Sequence, residues 1–152
     1  MIHNIQVQEG EFGPGFEPRI VAAAEAAFQD QEAESATITV VLTDEAGICE
    51  YNLKYTGINE PTDVLSFEGG EIDPETGEKY LGDVIICPPI ALTGASMGRH
   101  ALLDEVSLLT IHGVLHLLGF DHDDEESRER MWAVQDRILD RLGHPIDGTS
   151  ER

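Results

Sequence analysis

Apolar residues recur with strand periodicity in four stretches and with helical periodicity in five. Thr37-Ile-Thr-Val-Val-Leu-Thr43 is the clearest strand, rich in β-branched residues. Ile2, Ile5 and Val7 mark a shorter first strand with imperfect alternation. Val64-Leu-Ser-Phe67 and Leu81-Gly-Asp-Val-Ile-Ile-Cys87 are the others, and the unbroken apolar run Val84 to Ile86 puts the last in a buried position. A helix is expected from Pro18 to about Gln31, with Ile20, Val21, Ala24 and Phe28 as its stripe. Asp44 caps a second, through Leu53 or Tyr55. Pro88-Pro89 ends the third long strand, and a short helix covers Ile90 to Met97. From His100 to Leu118 apolar residues go almost all the way round, so this helix is buried centrally. The last helix runs from about Asp124 to Leu142, with acids at its start and Arg137 and Arg141 towards its end, as the helix dipole favours. Gly10 to Gly15, the Gly57 to Pro61 stretch and Gly69 to Glu78 carry turn chemistry, and the tail after Gly143 is expected to fray. With no repeat, low-complexity tract or linker, residues 1–152 read as a single compact α+β domain, a small mixed sheet packed with helices.

The central helix also carries chemistry. His112-Gly-Val-Leu-His-Leu-Leu-Gly-Phe-Asp-His122 holds three histidines at spacings of four and six. On a helix, His112 and His116 lie one turn apart, with Cβ atoms roughly 6 Å apart, close enough to share an ion. Gly119 follows the last apolar pair and tolerates the left-handed conformation that ends a helix, which turns the chain back and brings His122 to the same point. Three buried imidazoles cost desolvation unless each finds a partner, and one metal satisfies all three. Neutral imidazoles favour Zn²⁺, one per chain, with nickel or another transition metal as competitors. Three protein ligands leave a fourth position open, the mark of a catalytic site in which the metal activates water. The expected helix is therefore a buried, metal-bearing one in a zincin-like arrangement. The spacing is that of metzincin proteases, whose motif places a glutamate base after the first histidine. Here that residue is Gly113, which disfavours peptide hydrolysis; Met131, placed like a Met-turn, sits in a helical pattern and reads as core.

Composition changes the picture at one point. Nine Lys+Arg against 30 Asp+Glu give a net charge of −21, which argues against nonspecific nucleic-acid binding, since that needs a cationic footprint. Cys49 and Cys87 are isolated and read as free thiols in a reducing cytosol. No apolar run suggests a membrane span, and the N-terminus lacks the pattern of a secretory signal, so a cytoplasmic protein is expected.

The histidine block closely resembles the signature of the YbeY family of metal-dependent endoribonucleases. Pro61-Thr-Asp-Val-Leu-Ser-Phe67 and Leu81-Gly-Asp-Val-Ile-Ile-Cys87 match in the right order, so the resemblance covers about residues 36 to 142. It implies a compact α+β domain with a zinc-like metal on His112, His116 and His122 in a cleft. It further implies cleavage of single-stranded RNA, maturation of small-subunit ribosomal RNA and ribosome quality control, with ribosomal RNA and the ribosome or a ribosomal protein as partners. The chain departs from the family where an arginine usually follows the tyrosine before the Pro-Thr-Asp block: Tyr55 is followed by neutral Thr56, which removes a natural phosphate partner. The alternatives are a metal-stabilised, ribosome-associated assembly factor with little nuclease activity and a metal-dependent peptidase-like hydrolase.

The general base is not identified. Asp121 reads either as an acceptor that orients a histidine or as the cap of the next helix. Ser66 either lines the cleft, where it would bind phosphate, or faces the other side of its strand. Thr62 and Asp63 shape the entry to that strand. Glu105, two turns or about 10 Å before His112, is given a solvent or structural role. His3, His100 and His144 read as surface residues.

Overall fold

The computed structural model describes residues 3–121 and 123–143. The elements are β1 (His3–Gln8), a 3-10 turn (Gly10–Phe12), α1 (Glu17–Asp30), β2 (Ala36–Leu42), α2 (Glu45–Thr56), β3 (Val64–Ile72), β4 (Lys79–Ile86), α3 (Pro88–Gly98), α4 (Leu102–Leu117) and α5 (Glu125–Leu142). Local chemistry sets several ends. The Glu9 carboxylate accepts the backbone N–H groups of Phe16 and Glu17 at 3.2 Å, doing at a distance what a cap residue does for α1. Asp44 Oδ1 accepts from Gly47 at 2.8 Å to start α2, and Asp124 Oδ1 accepts from Ser127 at 2.7 Å to start α5. Pro88 sits in the first turn of α3, which begins two residues earlier than the apolar pattern suggested.

The mixed sheet has the order β1-β2-β4-β3, with β1, β2 and β4 parallel and β3 antiparallel to β4. Alternation along β2 separates two layers. Ala36, Ile38, Val40 and Leu42 face a main core completed by Phe28 of α1, Ile111 and Leu115 of α4, and Met131 and Ile138 of α5. Val41 joins Ile85 and Cys87 under Ile48 and Tyr51 of α2 on the other face. α4 is thus the central buried helix expected, and the chain is a single α+β domain.

Some expectations change. β3 runs on to Ile72, through Gly69-Gly70, where a register shift between Glu68 and Glu71 opens against β4. His100 lies before α4, after Arg99 has closed α3 in the left-handed conformation. It is not a surface residue: its side chain is 9% exposed and pairs with the fully buried Glu105 at 2.6 Å. Glu105 therefore has a structural role, not a solvent one. His3 stacks flat on Phe28 at 4.3 Å, and its Nε2 lies 3.1 Å from the Ala33 carbonyl. Cys87 is buried, and burial pushes its thiol pKa up. His144 and the tail lie outside the described residues.

α5 is tied to α1 by charge. Asp30 ends α1, where a carboxylate opposes the helix dipole, but Arg137 binds it in a fork at 2.9 and 2.7 Å and Arg141 lies 3.5 Å away. Hydrogen bonds from Arg137 hold the Asp30 carboxyl below its ordinary value of 3.8, against the opposing effect of burial. A depressed carboxylate stabilises the fold above the unfolded value and loses that contribution as pH falls through the folded one. Asp30→Asn should cost about 1–3 kcal/mol at pH 7. The difference in thermal midpoint from wild type should shrink as pH falls below 3.8 and vanish only below the depressed folded value. Melting curves of both chains across pH check this; a difference that persists in acid refutes the assignment.

Candidate functional site

From Glu105 to Leu117 every residue of α4 is buried except His112 and His116, which are partly exposed. The two thus form the one opening of an otherwise enclosed helix face over this span. Their rings stand edge to face, 73° apart with centroids separated by 4.7 Å, as the one-turn spacing requires. Nδ1 of His112 donates to Gln135 Oε1 of α5 at 2.7 Å. A neutral imidazole that donates from Nδ1 carries its lone pair on Nε2. Gln135 therefore fixes both the orientation and the tautomer of the ring.

The end of α4 is a Schellman turn: Gly119 N–H reaches the His116 carbonyl and Phe120 N–H the Leu115 carbonyl, both at 3.0 Å, with Gly119 at φ +106°. The chain leaves the helix where the sequence pattern said it would. His122, the third histidine, lies outside the described residues. Among those residues no group of three or more His, Cys, Asp or Glu side chains is arranged to hold a metal ion.

Two hollows flank His112. One, of about 320 Å³, is walled by Val64, Ser66 and Glu68 of β3 and by His112 and His116. The other, of about 230 Å³, lies between α4, α5 and the start of β3. Ser66 faces α4, and its hydroxyl donates to the Gly113 carbonyl at 3.3 Å, so it lines the histidine cleft and fastens β3 to the helix. The blocks at 61–67 and 81–87 meet as the antiparallel pair β3 and β4, and Cys87 N–H donates to the Asp63 carbonyl at 2.9 Å. Asp121 is exposed and borders a different groove, beside Ser127 and Arg130. The cap of α5 is Asp124, so the capping reading of Asp121 falls. Thr56 is exposed at the end of α2, where its hydroxyl donates to the Asn52 carbonyl at 2.7 Å. It shapes the turn into β3 and borders neither hollow.

Gly113 owes its identity to packing. A Cβ there would meet Val84 Cγ1 of β4 at 2.5 Å and Cγ2 at 2.9 Å. The residue after His112 is directed at Val84 of β4 and at Ser66, so a side chain there meets packed atoms before it can extend towards the cleft.

Sequence reasoning missed Gln135, Glu68 and Trp132. Gln135 had a signal: it is a polar residue on the α5 stripe of Met131, Ile138 and Leu139, and it is 2% exposed. A polar side chain on a buried stripe needs a partner, and here the partner is a histidine already singled out.

A family model described as Endoribonuclease YbeY matches residues 5–143. The Endoribonuclease YbeY of Mycolicibacterium paratuberculosis is 40% identical over 113 residues, which cover 70% of this chain and 64% of that protein. That of Mycobacterium ulcerans is 40% identical over 112 residues, covering 69% and 63%. The chain thus matches a little under two thirds of the length of these curated relatives. Among solved structures, the solution structure of TM1509 from Thermotoga maritima has a TM-score of 0.57 at 24% identity, covering 99% of this chain and 96% of that one. That likeness concerns the fold.

Proposed function

Because the chain belongs to the Endoribonuclease YbeY family, we propose that it is a metal-dependent hydrolase that cuts phosphodiester bonds in single-stranded RNA and acts in the cytoplasm in ribosomal RNA maturation and ribosome quality control. In this reading His112, His116 and His122 hold one divalent ion, Zn²⁺ or a related transition metal. The observation that carries it is the pair His112 and His116, side by side at the opening of a buried helix, with the His112 tautomer locked by Gln135. Two nitrogen donors at an open cleft, one oriented by an amide carbonyl, fit the donor chemistry of such an ion. What the ion supplies when bound is a +2 charge that polarises a phosphoryl oxygen and makes water a better nucleophile.

The chain's own residues do the remaining work. Gln135 keeps Nδ1 of His112 committed as a donor, so the ring faces the cleft in one orientation. Ser66 holds β3 against α4 and so fixes the cleft width. Glu68 lines the same cleft, where its acidic side chain is a repulsive neighbour for phosphate. Among the described residues no helix is long and apolar enough to cross a membrane. Peptide hydrolysis is disfavoured, since the position of a metzincin base is turned into the sheet.

The test is metal removal. The chain freed of metal by chelation should cease to cut single-stranded RNA, and should recover when one equivalent of Zn²⁺ is returned. Cleavage that survives rigorous chelation in nuclease-free preparations overturns the reading.

A further inference from the structure

The net charge of −21 leaves open how this chain grips a polyanion. The second hollow beside His112 supplies an answer. Val64, Leu109 and the ring of Trp132 give it apolar walls, while Asp63, Gln135 and His112 give it a polar margin. At about 230 Å³ it is large enough for one flat aromatic group, and its mixture of apolar walls and hydrogen-bonding edge matches a nucleobase, which is apolar on its faces and polar at its rim. The guanidinium of Arg128, one turn before Trp132 on α5, lies over the indole ring, 5.7 Å from its centroid. Among the described residues Arg128 is in no salt bridge, unlike Arg19, Arg137 and Arg141, which are taken by Asp104 and Asp30. Stacking of a base on an aromatic side chain, with an arginine against the ring, adds to single-strand binding alongside backbone electrostatics, and it is the contribution open to a chain of this net charge.

We propose that Trp132 is a base-stacking residue, and that the hollow between α4, α5 and β3 holds one nucleobase of the RNA strand while the neighbouring backbone lies in the histidine cleft. The proposal rests on the nuclease reading for the identity of the ligand, but it concerns different residues. Gln135 belongs to both sites: its carbonyl oxygen accepts from His112, and the residue also lines the base slot. Base seating and ligand orientation thereby share one side chain. Trp132 is a substrate-positioning residue, not part of the bond-breaking chemistry.

Trp132 is also the chain's single tryptophan, so its fluorescence reports on this slot alone. Hexauridylate RNA and an abasic ribose–phosphate hexamer are titrated into the wild-type chain in chelator, where no cleavage is expected. The RNA should quench Trp132 and the abasic strand should not. By polarisation of a labelled hexauridylate, Trp132→Ala should bind roughly tenfold more weakly, as expected for one lost base stack, while Trp132→Phe should stay within about threefold. Trp132→Phe also guards against a variant that simply fails to fold. Unchanged binding by Trp132→Ala, equal quenching by the abasic strand, or no quenching by RNA overturns the proposal. The same preparations assayed for cleavage with Zn²⁺ keep the two ideas apart. The proposal expects a raised KM and nearly unchanged kcat in Trp132→Ala. Cleavage by wild type with the same KM in Trp132→Ala sinks the base slot and spares the nuclease. Trp132-dependent binding without cleavage does the reverse.

Discussion

His116→Ala should lose its metal and its RNA cleavage together. Metal content after purification should fall from about one equivalent per chain to a small fraction. The cleavage rate should fall by more than about a hundredfold, beyond the 10- to 100-fold typical when only a residue that orients a ligand is lost. The reasoning is geometric. His116 is one of two residues of the buried span of α4 that open to the cleft, so its truncation removes a donor and its edge contact with the His112 ring while leaving the apolar core of the helix in place. The thermal midpoint without metal should therefore change little, whereas the stabilisation that added Zn²⁺ gives the wild-type chain should disappear. Elemental analysis, cleavage of single-stranded RNA and melts with and without Zn²⁺ measure the three effects. A variant that loses metal and still cuts RNA at the wild-type rate refutes the assignment. One that keeps its metal removes His116 from the ligand set.

The parts of this site that depend on local spacing were legible in the sequence. The four-residue interval between His112 and His116 and the glycine stop at Gly119 require only helical geometry and a left-handed cap, and both are found. The all-round apolar pattern of α4 placed it at the centre for the same reason. What was not legible depends on contacts that apolar periodicity does not register, across a local bend or between distant segments. Nothing near Glu105 in the pattern announces that it is fully buried against His100, because that pair forms only when the turn after α3 folds back on α4. Gly69-Gly70 reads as a turn because glycine pairs usually are. Here they form an irregularity within β3, where the strand gives way around Tyr80 of its neighbour. The arginines late in α5 were credited to the dipole of their own helix, and the structure gives them Asp30 of another. The similarity to the family was seen from residue 36 onward, yet the family model begins at residue 5. β1 and α1 are held by burial and strand pairing and carry no motif that would mark them.

The same distinction decides what Gly113→Glu should do. Read as a motif, the substitution completes the metzincin pattern and would be expected to confer peptidase activity. The structure predicts the opposite: no peptidase, and a chain that scarcely folds. Position 113 is buried, and the first atom of any side chain there would stand 2.5 Å from one methyl group of Val84 and 3.2 Å from Ser66 Oγ. Val84 is fully buried in β4 and, being β-branched, has little rotamer freedom with which to yield. Even alanine should destabilise: it gains up to about 1 kcal/mol of helix propensity over glycine, but overpacking a close-packed core costs about 1–3 kcal/mol. Glutamate adds the burial of an unpaired carboxylate, which brings the total to at least about 4 kcal/mol. At roughly 2–4 °C per kcal/mol for a chain of this size, its thermal midpoint should drop by about 10 °C or more, and much of the protein should be recovered insoluble. Ser66 would lose its 3.3 Å hydrogen bond to the Gly113 carbonyl as α4 is pushed off the sheet, so RNA cleavage should fail with the fold. Thermal melts of the alanine and glutamate variants, with a peptide-hydrolysis assay on any soluble glutamate variant, test the argument. A glutamate variant as stable as wild type would show that α4 can stand away from β4, and peptidase activity in it would mean that position 113 faces the metal after all.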